Sequence, residues 1–291
     1  MLKSAGLVGA VVYYDGMHND ARMNLALILT AIKHGAVVTN YTEVMGLQKD
    51  SAGKLVGAVV KDTPTGVEFQ VHAKSIVNAT GPFTDALLTL DNPSHKPIVQ
   101  ASSGVHVTFP DYYSPRNMGL LDPATSDGRV IFFLPWQGHT IAGTTDTKAR
   151  VEIDPRPIEE DIRWILEEVR QYLSPDIQVR RGDVLSAWSG LRPLVLNPNG
   201  QGGTEGLVRN HLITVSRSGL VTIAGGKWTT YRAMAEETVD RTIELFGLKA
   251  TSACRTKEVQ LVGSEGWAKN MFIGLIQRVR FSWYFVESKQ S

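Results

Sequence analysis

Cysteine is almost missing: Cys254 is the single one in 291 residues. That excludes an internal disulfide framework and thiolate metal clusters, and suits a reducing compartment or a fold indifferent to redox state. An excess of either charge is missing too, because 30 Lys and Arg stand against 29 Asp and Glu, a net charge of +1. The balance leaves no electrostatic footprint for nucleic acid or a strongly acidic partner, and points to a small ligand. No uninterrupted apolar run approaches the length of a bilayer span. Residues 1–10 hold too short an apolar stretch, with no cleavage site, for a secretory signal, and no transit peptide or other targeting segment is legible. His, Cys and carboxylates never gather at ligand spacing, so no metal is expected. Internal repeats and low-complexity segments are absent as well.

What is present is 43% hydrophobic content and 27 glycines, the composition of a globular α/β chain. Residues 7–14 read as a strand, 20–34 as a helix capped by Gly35, with Asp20 and Arg22 as capping and anchoring residues, and 36–44 as a second strand. Alternating runs at 55–61 and 67–73 joined through TPTG make a hairpin, followed by a buried strand at 75–79. From 97 to 145 the pattern is strands with Pro and Gly turns. Ile158, Ile162, Ile165, Val169 and Tyr172 then lie on one face of a helix over 157–173, and strands resume from 183 to 224.

The segment GGKWTTYR, residues 225–232, follows the β-branched run LVTIA and precedes a helix that Gly247 caps. Strand, glycine turn and helix together direct backbone N–H groups and the positive helix end at whatever lies beyond the strand. That suits a phosphate, a carboxylate or an electron-rich ring edge. It is not a nucleotide triphosphate loop, because GxxxxGK[ST] requires Gly at Val221 and Ser or Thr at Trp228. Taken alone, Gly225 and Gly226 read as a simple turn beside a solvated Lys227. A complete dinucleotide module would also open with G-x-G-x-x-G, which occurs nowhere in the chain.

Six blocks carry a specific resemblance: GAVVYYDGMHNDARMNLA, VNATGPFTD, LLDPATSDGRVIFFLPW, IAGTTDT, AWSGLRPLV and IAGGKWTTYRAMAEET. In that order they resemble the FAD-dependent glycerol-3-phosphate dehydrogenases of mitochondria, from residue 5 to about 277. The family's GxGxxG segment and calcium-binding hands have no counterpart here, and 278–291 departs from its pattern. The resemblance implies an incomplete FAD-binding, Rossmann-like parallel sheet intermingled with a mixed, largely antiparallel substrate module, an α/β (α+β mixed) fold. The expected boundaries are 1–97 and 214–248 for the FAD module, 98–213 for the substrate module, and 249–291 for the start of a C-terminal region.

It further implies oxidation of sn-glycerol 3-phosphate to dihydroxyacetone phosphate, electrons passing to a quinone, and a peripheral place on the mitochondrial inner membrane. Interleaved basic and aromatic residues from Trp267 to Phe285 suit a membrane surface or a frayed end. The resemblance places FAD contacts at Val44 near the adenine, at Thr80 and Gly81, and at Gly226, Lys227, Trp228 and Thr229 near the pyrimidine edge. Arg192, Arg209 and Lys227 would hold the substrate phosphate, where planar guanidinium groups bind a dianion in forked geometry. Taken singly, outside these blocks, each arginine reads as a surface ion pair instead.

Among seven histidines, His106 in SSGVHVTFP sits on an apolar strand of the substrate module and is the candidate proton acceptor, with a structural role as the alternative. Without the GxGxxG unit, residues 1–291 alone are expected to bind FAD weakly or not at all and to lack dehydrogenase activity. The competing class is a non-catalytic binding or interaction protein that keeps the fold without flavin.

Overall fold

The computed structural model describes residues 2–3, 8–122, 125–126, 128–196, 207–208 and 210–278. Arg209, one of the expected phosphate ligands, lies outside the described residues, as does 279–291 with the end of the aromatic tail. Two compact units emerge, each considered by itself: Val12–Thr42 with the residues from Thr251 onward, and Glu43–Ala250 with those before residue 12.

In the smaller unit α1, Asp20–Lys33, begins at Asn19, whose side chain accepts the Arg22 N–H at 3.1 Å. The cap is therefore Asn19, not Asp20; Asp20 is the acidic residue of the first turn, facing the positive helix end. Gly35 at φ +90° ends the helix where a side chain would strain. Thr30 is buried, donating to Ala26 O at 2.6 Å and accepting the Val262 N–H at 2.9 Å, so the later segment is tied to the helix.

The strand expected at 7–14 is not formed over its described residues. Val8, Val11 and Tyr14 are at least 91% exposed. A strand exists only where a neighbour completes its hydrogen-bond ladder, and no described strand lies beside 8–14. For the same reason the strand expected at 36–44 starts only at Thr42, where a partner appears.

Among the described residues the larger unit contains three sheets. The first orders β1 (Thr42–Lys49), β2 (Leu55–Asp62) and β3 (Glu68–His72); β2 and β3 form the hairpin expected around TPTG. After β4 (Ile76–Asn78) and α2 (Thr84–Asp91), the chain enters β5 (Val99–Pro110). The Asp85 carboxylate starts that strand by accepting the N–H groups of Ile98 and Val99, both at 3.0 Å.

The large sheet then gains β6 (Leu120–Asp122), β7 (Ile131–Trp136), β8 (His139–Gly143) and β9 (Thr147–Lys148). Following α3 (Glu159–Tyr172) come β10 (Ser186–Leu196) and β11 (Leu207–Val208). Its order is β11-β10-β5-β8-β7-β6, all antiparallel, with β9 pairing a second segment of β5. The third sheet, β12-β13-β4, pairs β12 (His211–Val215) antiparallel with β13 (Leu220–Gly225), and β13 parallel with β4. Among the described residues the parallel component is thus one strand pair, and α4 (Tyr231–Phe246) follows β13.

The main core lies on one face of the large sheet. Val105, Val107 and Phe109 of β5, Ile131 and Phe133 of β7 and Ala142 of β8 meet Ile162, Ile165, Leu166 and Val169 of α3. The helix fits because its apolar residues recur at three and four and so form one stripe. Glu159, Glu160 and Asp161 occupy its first turn, where acidic charge complements the macrodipole.

A second tie joins β1, α2 and the β12–β13 turn through the buried Asp91, which meets Lys49 Nζ at 2.9 Å and the Ser218 hydroxyl at 2.5 Å. Burial alone would raise the Asp91 pKa. The hydrogen bonds from Ser218, Ser216 and Lys49 and the Lys49 charge outweigh it, and the group sits below its ordinary value.

Candidate active site on a glycine-floored sheet face

Residues alternate in β5. While Val105, Val107 and Phe109 enter the core, Ser102, Gly104, His106 and Thr108 occupy the other face. Their β10 partners are Arg192, Gly190, Trp188 and Ser186, and on the other side His106 is opposite Gly143 of β8. Three glycines, 104, 143 and 190, therefore floor the face from which His106, Trp188 and Arg192 rise.

The glycines at 104 and 143 are there for space. A Cβ at 143 would stand 2.6 Å from His106 Cδ2, and one at 104 would overlap the Arg192 guanidinium. Over Gly190 the space is open. The His106 ring lies parallel to the Trp188 indole, 5.4 Å between centroids and 10° between planes. Such stacking restricts the imidazole to one orientation.

Arg192 is aligned with Ser102 but folds back over Gly104. It donates to Thr145 O at 3.1 Å and Thr144 Oγ1 at 2.7 Å, and pairs with Asp146 Oδ1 at 3.5 Å. Asp146 is itself held by the Ser102 hydroxyl. The rows of Arg192 and His106 are four residues apart, about 13 Å, and the folded guanidinium shortens the gap to about half.

The two glycine turns sit at the carboxyl ends of β4 and β13, adjacent and parallel, so both leave the sheet at the same end. Thr80 donates to Asn78 Oδ1 at 2.7 Å, and Asn78 Nδ2 donates to Thr84 O at 3.0 Å, which fixes the turn around Gly81. Gly81 has φ +57° and open space where a Cβ would stand. Gly225 and Gly226 have φ +76° and +79°. A Cβ at 225 would reach Val195 Cγ2 at 2.9 Å, so this turn packs against β10, the strand that carries Arg192.

The Thr230 N–H bonds Lys227 O at 3.0 Å, while the N–H groups of Gly226, Lys227 and Thr229 find no acceptor among the described residues. Lys227 is exposed and its ammonium also has no partner among the described residues. Trp228 tilts against Tyr231 at 5.2 Å. Val44 stands exposed on β1, in a different sheet from the turns.

His106 and Arg192 thus share one face, and Thr80, Gly81 and Gly226 to Thr229 share one end of the parallel pair. Lys227 and Arg192 share no hydrogen-bond partner among the described residues. The sequence points to Thr144 to Thr147 as a turn at the pocket rim but not to its hold on Arg192, and it gives no sign of the Trp188 stack or of His211. The last is opposite Gly225 in register; its Nε2 meets Glu237 at 2.6 Å and its buried Nδ1 has no hydrogen-bond partner among the described residues. Period-two alternation would have placed Gly104 beside His106, but the register bringing Trp188 and Gly143 to it is a tertiary property.

A flat, polyanionic cofactor such as FAD suits this arrangement: small residues at both strand ends permit close backbone approach, and donors at the Gly226 turn are left over. A family model described as FAD dependent oxidoreductase matches residues 2–232, and the chain belongs to that family.

Within it, the chain is 58% identical over 278 residues to the probable mitochondrial glycerol-3-phosphate dehydrogenase of Caenorhabditis elegans. It is 56% identical over 282 residues to the mitochondrial glycerol-3-phosphate dehydrogenase of Homo sapiens. Each alignment covers 95% of this chain and 38% of the relative, so the chain spans about two fifths of their length. A crystal structure of the Bacillus halodurans glycerol-3-phosphate dehydrogenase complexed with FAD superposes with a TM-score of 0.76 at 36% identity, over 89% of this chain and 49% of that one. The FAD-bound L-alpha-glycerophosphate oxidase of Mycoplasma pneumoniae, at 17% identity and TM-score 0.56, shares the fold alone.

Proposed function

We propose that this chain forms the flavin-facing and substrate-facing part of a mitochondrial glycerol-3-phosphate dehydrogenase, which oxidises sn-glycerol 3-phosphate to dihydroxyacetone phosphate. The observation that carries this reading is one face bearing both an oriented imidazole and a folded guanidinium over a floor without side chains. Bound FAD supplies the acceptor for the hydride that leaves the secondary carbon. Everything else falls to the chain.

Arg192 offers forked donors to the phosphate, with Lys227 and Arg209 as further cations of the clamp. His106, held against Trp188, receives the hydroxyl proton as the carbonyl forms. The N–H groups of Gly226, Lys227 and Thr229, with the helical turn behind them, favour negative charge at the pyrimidine edge of the flavin. Thr80 and Gly81 give the cofactor a second backbone contact. Val44 is assigned to the adenine end.

Electrons pass to a quinone in this reading, and the protein rests peripherally on the inner membrane. Among the described residues no helix is long and apolar enough to cross one. Exposed Trp267, Met271, Phe272 and Ile276 near Lys269 support surface contact.

The test is kinetic. In the flavin-loaded holoenzyme that contains this chain, Arg192→Ala and Lys227→Ala should raise KM or depress turnover at least tenfold while flavin stays bound. Near-normal kinetics in both would remove the phosphate assignment.

A further inference from the structure

The guanidinium of Arg192 has five N–H donors, and three hydrogen bonds tie it to a single loop: to Thr145 O, to Thr144 Oγ1 and, at 3.5 Å, to Asp146 Oδ1. Below it lies Gly104, where a Cβ would occupy the space the guanidinium fills. Behind it Asp146 is fastened by the buried Ser102, which also donates to Thr147 O at 3.3 Å. The loop itself is fixed to the sheet, since Thr145 Oγ1 accepts the Val105 N–H at 2.9 Å and β9 pairs with β5 immediately beyond.

An arginine on a strand ordinarily points along its own row with several rotamers open; here every bond pulls it off the Ser102 row and down onto Gly104. Two donors remain without an acceptor among the described residues, and the side chain is 33% exposed.

We propose that Thr144 and Gly104 are positioning residues for the phosphate-binding cation: they hold Arg192 in one orientation, so that its two remaining donors are presented together to a phosphate dianion. This deepens the reading above and rests on Arg192 as the phosphate ligand. Thr144 acts through its hydroxyl, the only side-chain acceptor bonded to Nη2 among the described residues. Gly104 acts by absence, because a methyl group there displaces the guanidinium from its cradle.

The interaction with the phosphate is the same in the ground state and the transition state, so loosening Arg192 removes uniform binding. KM rises while kcat holds.

The experiment measures KM and kcat for sn-glycerol 3-phosphate in the holoenzyme containing this chain, and equilibrium binding of inorganic phosphate by calorimetry, for Thr144→Val, Thr144→Ser, Gly104→Ala and Arg192→Ala. Thermal melts confirm folding. The expected result is about a tenfold rise in KM for Thr144→Val, with kcat within about twofold, phosphate affinity falling in step, and Thr144→Ser restored to near the parent. Gly104→Ala should match Thr144→Val if it folds; the Thr144 pair decides the matter if it does not.

Should Arg192→Ala weaken substrate and phosphate while Thr144→Val does not, or should Thr144→Ser fail as badly as Val, the positioning role is overturned and the phosphate assignment stands. Should Arg192→Ala itself leave both unchanged, the phosphate assignment falls and the positioning role with it.

Discussion

The two faces of β5 obey opposite rules although they alternate residue by residue. On one, Val105, Val107 and Phe109 are completely buried against α3 and fill space. On the other, Ser102, Gly104, His106 and Thr108 are joined by Trp188 and Arg192 from β10, and the functional side chains there are held by hydrogen bonds and stacking. The strand's core face therefore contributes stability, and its other face contributes geometry. Substitutions on the two should separate cleanly into losses of folding and losses of binding.

The largest effect is expected on the packed face. Phe109→Ala removes a ring stacked on Tyr113 at 4.5 Å between centroids, and should cost about 3–5 kcal/mol in denaturant unfolding. A loss under about 1 kcal/mol would mean that the core is not where this account places it.

Next comes the anchor outside the large sheet. Because the folded Asp91 pKa lies below the ordinary value of about 3.9, its stabilisation is fully present above that pH and disappears as pH falls through the folded value. Asp91→Asn should therefore cost about 1–3 kcal/mol at neutral pH, with the gap to the parent closing below about pH 4. Urea melts across pH 3 to 7 measure it, and a gap that widens in acid contradicts the assigned direction.

Gly143→Ala tests the point where the two faces meet, because the new methyl would press on both His106 Cδ2 and, at 2.9 Å, Val105 O. About 1–2 kcal/mol of destabilisation should accompany a change in Trp188 fluorescence as the stack opens. The smallest effect on folding belongs to Arg192→Ala. Partly exposed and hydrogen-bonded to a loop, it should move stability by no more than about 1 kcal/mol while binding is lost.

Much of the fold was legible in the sequence where a signal is local. Helical spacing marked α3, TPTG marked the β2–β3 hairpin, and LVTIA with its two glycines marked β13 and the turn into α4. The strand expectation fails over 8–14 and 36–41 because an apolar run carries strand propensity whether or not a neighbour stands beside it. The α1 cap was misplaced by one residue, since Asn19 and Asp20 share the same capping chemistry and only the backbone distinguishes them.

His106 and Arg192 were identifiable as residues, but their shared face follows from the β5–β10 register. No sequence pattern announced that Thr144 and Asp146 would close on Arg192 from 46 to 48 residues away.

The most direct measurement compares two reductants in one holoenzyme: anaerobic titration of its flavin with sn-glycerol 3-phosphate and with glycerol, in the parent and in Arg192→Ala. Glycerol 3-phosphate should bleach the parent flavin at concentrations at least a hundredfold below those glycerol requires, and Arg192→Ala should erase most of that advantage, about 2.7 kcal/mol of phosphate binding. Equal bleaching by both reductants in the parent, or an advantage untouched by Arg192→Ala, would contradict the assignment of this sheet face to the substrate phosphate.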